Sequence, residues 1–294
     1  MVKKFGLSAA LTTPFDHEGE IQTSLLVEHA KFCLGNGCDS VTLFGTTGEG
    51  SSIGHKERLK VISSFTAASI KGHHIVAGVL VDSIPDAVEQ MSEALDNGAR
   101  NILLAPPSYF KNVSDDGLFE WFAAAFKSLG SKARDVIVYN IPSVTMAKIS
   151  VELVTRLRAA FPDIVIGVKD SGGDWAHTER LLRTHGDLAI MIGDERHLAQ
   201  GTRLGGQGAI SGMANLLGPE VRAMAVDGKD DQRVTDLVNV ILNYPVTPSV
   251  KALVARTSGN ALWLNVRPPL MTISSHDRDT IAQAFDQAFA VKAA

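Results

Sequence analysis

Short apolar runs alternate with amphipathic stretches along most of this chain. The runs Leu7–Thr13, Ser40–Phe44, His74–Leu80, Asn101–Ala105, Asp135–Asn140, Leu188–Ile192 and Gly208–Ser211 have the length and composition of strands buried on both faces. A further run opens at Ile164 and closes in Lys169-Asp170-Ser171-Gly172-Gly173. Between the runs the spacing predicts helices from Thr23 or Ser24 to about Leu34, from about His55 to Ile70, and from Pro85 onward. Four more are predicted over Leu118–Leu129, Ser150–Ala160, Trp175–Thr184 and Glu195–Leu204. Thr23 or Ser24 is expected to cap the first helix, and a proline suits the first turn of the third.

Each strand–helix step takes roughly 20 to 35 residues, enough for a right-handed βα unit. Eight parallel strands can close on themselves and so remove the edges an open sheet must protect. An open doubly wound sheet would carry a G-x-G-x-x-G fingerprint after its first strand, which this chain lacks. The expected class is therefore α/β, a (β/α)8 TIM barrel over residues 1–227. Helices predicted over 231–243, 248–256 and 274–291 form a C-terminal helical extension, 228–294, packed on the barrel. The paired prolines of Asn265-Val266-Arg267-Pro268-Pro269-Leu270 make a rigid connector within it.

Composition narrows the function. The chain is 294 residues long, 45% hydrophobic and 20% charged, which suits an ordinary soluble domain of barrel size. A net charge of -4 gives no general attraction to nucleic acid or to an anionic membrane. Cys33 and Cys38 match neither a CxxC pair nor a zinc knuckle, and no apolar run approaches the ~20 residues of a membrane span. A soluble, cytoplasmic protein with a small-molecule partner is expected.

Active sites of such barrels lie at the C-terminal strand ends, so the strand exits hold the candidate chemistry. They present Thr12-Thr13-Pro14-Phe15, Gly45-Thr46-Thr47-Gly48-Glu49, Pro106-Pro107-Ser108-Tyr109-Phe110, Tyr139-Asn140-Ile141-Pro142, Lys169-Asp170 and Ile210-Ser211-Gly212. Read alone, Lys169 is a strand-end lysine pointing into water, because lysines are almost never fully buried unless paired. Tyr139 on its own could be a core aromatic, and Gly45–Gly50 a tight connection without the Gly-Lys-Ser/Thr ending of a phosphate loop. His55 and Glu57 read as helix surface residues. Together, however, a lysine and a tyrosine on adjacent strands facing a Gly-flanked Thr-Thr pair suit carbonyl chemistry. A lysine at its reference pKa of ~10.4 is neutral in about one molecule in 2,500 at pH 7, whereas an apolar enclosure frees the amine as a nucleophile. The amine would condense with a ketone, the tyrosine would shuttle protons, and the backbone of Gly45-Thr46-Thr47-Gly48 could receive a carboxylate. With no HExxH motif or Cys/His cluster, neither metal nor cofactor is expected.

Gly45-Thr46-Thr47-Gly48-Glu49, Tyr139-Asn140-Ile141-Pro142 and Gly167-Val168-Lys169-Asp170 resemble, in order and spacing, signature segments of the dihydrodipicolinate synthase/N-acetylneuraminate lyase family. Gly205–Ser211 and Val266–Leu270 resemble family segments too, so the likeness covers nearly the whole chain. It implies a (β/α)8 barrel with C-terminal helices, a homo-oligomer (tetramer or dimer), and class I aldolase chemistry on pyruvate or another 2-keto acid with an aldehyde. By position it implies Lys169 as the Schiff-base lysine, Tyr139 as proton relay and Thr46 as relay hydroxyl. Thr47 with Gly48 would bind the carboxylate, and Ile210 would contact the keto acid through its backbone. Two positions depart from the synthase branch. Val144 stands where an arginine would grip the aldehyde's carboxylate, and Phe110, beside Tyr109, where a neighbouring subunit's tyrosine would join the relay. A missing charged hydrogen bond costs about 1.5–3 kcal/mol, one to two decades of affinity. The resemblance thus points to a 2-keto-3-deoxy sugar acid aldolase. The synthase, a dehydratase or deaminase, and a ligand-sensing barrel with a decayed relay are the alternatives.

Overall fold

The computed structural model describes residues 4–289. Its first half alternates β1 (Gly6–Ala10), α1 (Thr23–Gly35), β2 (Ser40–Leu43), α2 (His55–Ala67), β3 (Ile75–Val79), α3 (Ile84–Asp96), β4 (Asn101–Leu104) and α4 (Asp115–Leu129). Then follow β5 (Val136–Asn140), α5 (Pro142–Thr145), α6 (Val151–Ala160), β6 (Val165–Asp170), α7 (Trp175–Thr184), β7 (Ala189–Ile192), α8 (Glu195–Arg203), β8 (Gly208–Ser211) and α9 (Gly218–Asp227). The strands form a closed parallel barrel in sequence order, β1 pairing with both β2 and β8. Its seams are unequal. β5 and β6 share five residue pairs, from Val136–Val165 to Asn140–Asp170, whereas β7 and β8 meet at the single pair Met191–Gly208.

Alternation along the strands produces two apolar layers. Outward residues such as Val41, Ile102, Val138 and Val168 pack against the helices. Inward residues, among them Val76, Leu103, Ile137, Met191 and Ile210, fill the barrel's interior. Serine and aspartate caps set several helix starts: Ser83, Ser114 and Ser150 accept from the backbone N–H three residues on, as does Asp174. The Ser114 cap begins α4 three residues before the predicted Leu118. At α1 the expectation fails, because Gln22 stands at the cap position with no side-chain bond and Thr23 lies within the first turn. The first strand is shorter than predicted, since Thr12 N is taken by Asn215 Oδ1 rather than by a neighbouring strand. Pro142 does not merely stop β5; it opens the short α5.

Beyond α9 come α10 (Gln232–Ile241), α11 (Val246–Ser258) and α12 (Ser275–Phe289). The predicted end of the last helix, Val291, lies outside the described residues. α10 packs on α8 and α12, and α11 on α12. Among the described residues no helix is long and apolar enough to cross a membrane. Glu57 departs from the surface reading: its carboxylate caps α2 at Gly54 N and pairs with the Arg267 guanidinium.

Cys33 and Cys38 are free and buried. Burial pushes the Cys38 thiol up to about 12 and that of Cys33 higher still. Both are therefore expected to resist a thiol reagent at pH 8 in the native protein and to react together in denaturant. Rapid labelling without denaturant would contradict this burial.

Candidate active site

Between Val136 and Ile137 the register of β5 against β6 shifts, with Ile166 the extra residue in β6. After the shift Ile137 pairs with Gly167, Val138 with Val168 and Tyr139 with Lys169. A one-residue change in register exchanges the faces of a strand, so this irregularity is what turns Lys169 inward beside Tyr139. Below the lysine, a Cβ on Gly167 would stand 2.4 Å from the Ala189 carbonyl oxygen and 3.0 Å from Met191 Cε. Only glycine lets β7 approach so closely there. One residue beyond Lys169, Asp170 Oδ1 accepts from Asn140 Nδ2 at 2.7 Å and Oδ2 from Thr178 Oγ1 at 2.6 Å. Asn140 Oδ1 accepts from Ile149 N at 3.0 Å. These bonds tie the two strand ends at the register that sets lysine opposite tyrosine.

Lys169 is buried, only 6% exposed, and does not point into water. Its Nζ donates to Tyr139 Oη at 3.3 Å and lies 4.3 Å from the centre of the tyrosine ring. Tyr139 Oη in turn shares a 3.2 Å hydrogen bond with Thr46 Oγ1. Amine, phenol and hydroxyl thus form one continuous hydrogen-bonded chain drawn from β6, β5 and the loop after β2. That arrangement can pass a proton between a lysine-bound intermediate and the loop.

The three groups open into a cavity of about 320 Å³, also lined by Thr47 and Ile210. Val144 lines its wall and is 56% exposed. The wall also carries Ser143, Ser171, Asp194, Glu195 and Arg196, whose part was not read from the sequence. Arg196 is engaged already, with Nε 2.9 Å from Asp194 Oδ1 and a terminal nitrogen 2.7 Å from Oδ2. Asp194 is held below its ordinary value: burial raises it, but the bonds from Arg196 outweigh that. Burial raises the Glu195 carboxyl, which accepts from Ser211 Oγ at 2.5 Å. The outer rim comes from the C-terminal extension, at Val238, Leu242, Val246 and Thr247.

Three predicted residues stand apart. Gly48 does not line the cavity; its carbonyl accepts from Thr13 Oγ1 at 2.7 Å, and a Cβ would stand 2.7 Å from Leu11 O. Close backbone approach is what fixes a glycine there. Tyr109 and Phe110 are 75% and 72% exposed, stacked edge to face with centroids 5.3 Å apart, and line neither this cavity nor its neighbour. That neighbour, about 450 Å³ and largely apolar, shares Thr46, Val144 and Thr247 with the first. Outside the cavities, His55, Glu89 and Glu93 bring three ligand-capable atoms within 4.8 Å of one another. The imidazole lies between the carboxylates, Nδ1 3.8 Å from Glu89 and Nε2 3.2 Å from Glu93.

The profile of the Dihydrodipicolinate synthetase family matches residues 3–288. A Chloroflexus aurantiacus protein described as an uncharacterized DapA-like lyase is 30% identical over 302 residues, covering 99% of each chain. The 4-hydroxy-tetrahydrodipicolinate synthase of Bacillus subtilis is 25% identical, over 96% of this chain and 98% of its own. A crystal structure described as dihydrodipicolinate synthase from Agrobacterium tumefaciens C58 superposes with a TM-score of 0.96 at 66% identity, over 97% of this chain and 100% of that one.

Proposed function

This chain belongs to the dihydrodipicolinate synthetase family and is a lyase of the class I aldolase type, and on that footing we propose that it cleaves a 2-keto-3-deoxy sugar acid into pyruvate and an aldehyde. Lys169 Nζ attacks the C2 carbonyl, and the carbinolamine loses water as Tyr139 and Thr46 pass the protons. The resulting iminium withdraws electrons from C3. Removal of the C4 hydroxyl proton then breaks the C3–C4 bond, the aldehyde leaves, and the pair of electrons remains as an enamine. Protonation at C3 and hydrolysis release pyruvate and restore the amine. Thr47 receives the substrate's carboxylate and Ile210 contributes its backbone.

The observation that carries the substrate class is the charge of the cavity wall. Ser143 and Ser171 offer hydroxyls to a hydroxylated aldehyde, while Arg196 and Asp194 are paired with each other and Glu195 is bonded to Ser211. A second carboxylate entering there would meet carboxyl groups and Val144 instead of a free cation. The synthase reading is favoured by the description of the 66% identical Agrobacterium structure. Assays of pyruvate release from a panel of keto-deoxy sugar acids, run beside condensation of pyruvate with aspartate semialdehyde and with EDTA throughout, separate the two. Cleavage of at least one sugar acid is expected to be the faster reaction, and faster condensation would establish the synthase instead. Val144→Arg is expected to improve kcat/KM for the semialdehyde by ~10-fold or more, the worth of one charged hydrogen bond, while lowering it for the sugar acid.

The exposure of Tyr109 and Phe110 supports their lying against a neighbouring copy in a homo-oligomer. Phenylalanine there would pass no proton, leaving the relay to Tyr139 and Thr46.

A further inference from the structure

We propose that Lys251, in the C-terminal extension, is a positioning residue that holds the Thr46-Thr47 loop in its working geometry through Glu49. The proposal rests on the roles given above to those two threonines. Glu49 follows them with a φ of 57°, a left-handed conformation that side-chain-bearing residues seldom adopt. Its carboxylate is committed entirely to the C-terminal extension: Oε1 accepts from Lys251 Nζ at 2.5 Å and Oε2 from Arg267 N at 2.8 Å. Both side chains of the Lys251–Glu49 pair are fully buried, at 0% exposure.

The ammonium is satisfied on its other sides as well. It donates to Thr13 O at 2.8 Å and lies 4.5 Å from the centre of the Phe15 ring. Thr13 in turn fixes the loop by donating its hydroxyl to Gly48 O. One turn earlier on α11, Thr247 Oγ1 donates to Thr46 O at 3.4 Å, and Glu49 N reaches the same carbonyl at 3.0 Å. The helix therefore grips the loop on both sides of Thr47. A buried ion pair is poor evidence for stability, because apolar residues of like volume often replace one without loss. This pair joins positions 202 residues apart and ends beside the relay hydroxyl, where small displacements carry kinetic cost.

The test uses the full chain and the variants Lys251→Met and Glu49→Gln. Trapping with pyruvate and borohydride, read by mass spectrometry, counts the sites able to form the Lys169 adduct. Turnover per competent site and KM for the keto acid are then measured. Expected are a loss of ~10–100-fold in kcat per competent site and a raised KM, with partial recovery in Lys251→Arg. Arg256→Met, which removes an exposed pair with Asp286 on the same helix, is expected to keep wild-type values. Wild-type kcat per competent site and KM in the Lys251 and Glu49 variants would overturn the proposal, whatever their melting temperatures. Should neither single variant fold, the double variant Glu49→Gln/Lys251→Met, which buries no charge, decides by the same readout. Absence of a trapped adduct in the wild type would instead overturn the Schiff-base reading, and the positioning role with it.

Discussion

Lys169→Ala is expected to lower kcat/KM for the keto acid by ~10⁵–10⁶-fold, the scale on which covalent catalysts fail when their nucleophile is removed. At about 1.4 kcal/mol per decade this is a loss of ~7–8 kcal/mol of transition-state stabilisation. No hydrogen-bonded neighbour can substitute, since Tyr139 and Thr46 hold oxygens and cannot form an iminium. Lys169→Met retains most of the side-chain volume between the Tyr139 ring and the cavity, so it separates lost chemistry from lost packing. Both variants should fold and give no borohydride-trapped adduct. Activity within a hundredfold of wild type, or an adduct on the other deeply buried lysine, Lys251, would overturn the assignment.

Tyr139→Phe is expected to cost ~10²–10⁴-fold in kcat, the usual worth of a positioned proton-transfer group. The ring that Lys169 Nζ lies against is kept, and only the hydroxyl joining Lys169 to Thr46 is lost. The adduct should still form, but slowly, so the rate of trapping falls while its final yield does not. Thr46→Val added to this background should cost far less than it does alone, because both hydroxyls serve one relay. Full additivity of the two losses would show that they act separately.

How much of this could be read in advance depended on whether the cause was local. The apolar run into Lys169 and the β5 exit at Tyr139 announced two barrel strand ends, which the structure places side by side. The glycines flanking Thr46 and Thr47 marked a close backbone approach, although at Gly48 the approaching group proved to be Leu11 O. The extra residue Ile166 was not legible, since a bulge leaves an apolar run looking like any other. Nor was the burial of Lys251: Val250-Lys251-Ala252 carries no local mark distinguishing it from an outward helical lysine. Its partner lies 202 residues away and is known only once the chain has folded. The same applies to Glu57, expected at a helix surface and found paired with Arg267. The Asp194-Glu195 wall was missed because an acidic pair opening a helix ordinarily serves as cap and first turn, and Asp194 does cap α8.

The unequal seams of the barrel place the residues proposed for the site on strands that are paired to different extents. Lys169 and Tyr139 face each other across the five-pair β5–β6 seam, while Ile210 sits on β8, joined to β7 at one pair. Local opening favours the segment with fewest interactions to break. On the proposed mechanism the covalent centre would sit at the seam with the most residue pairs, and the strand offered to the keto acid would hang chiefly from β1, which holds it at four pairs, with little support from β7.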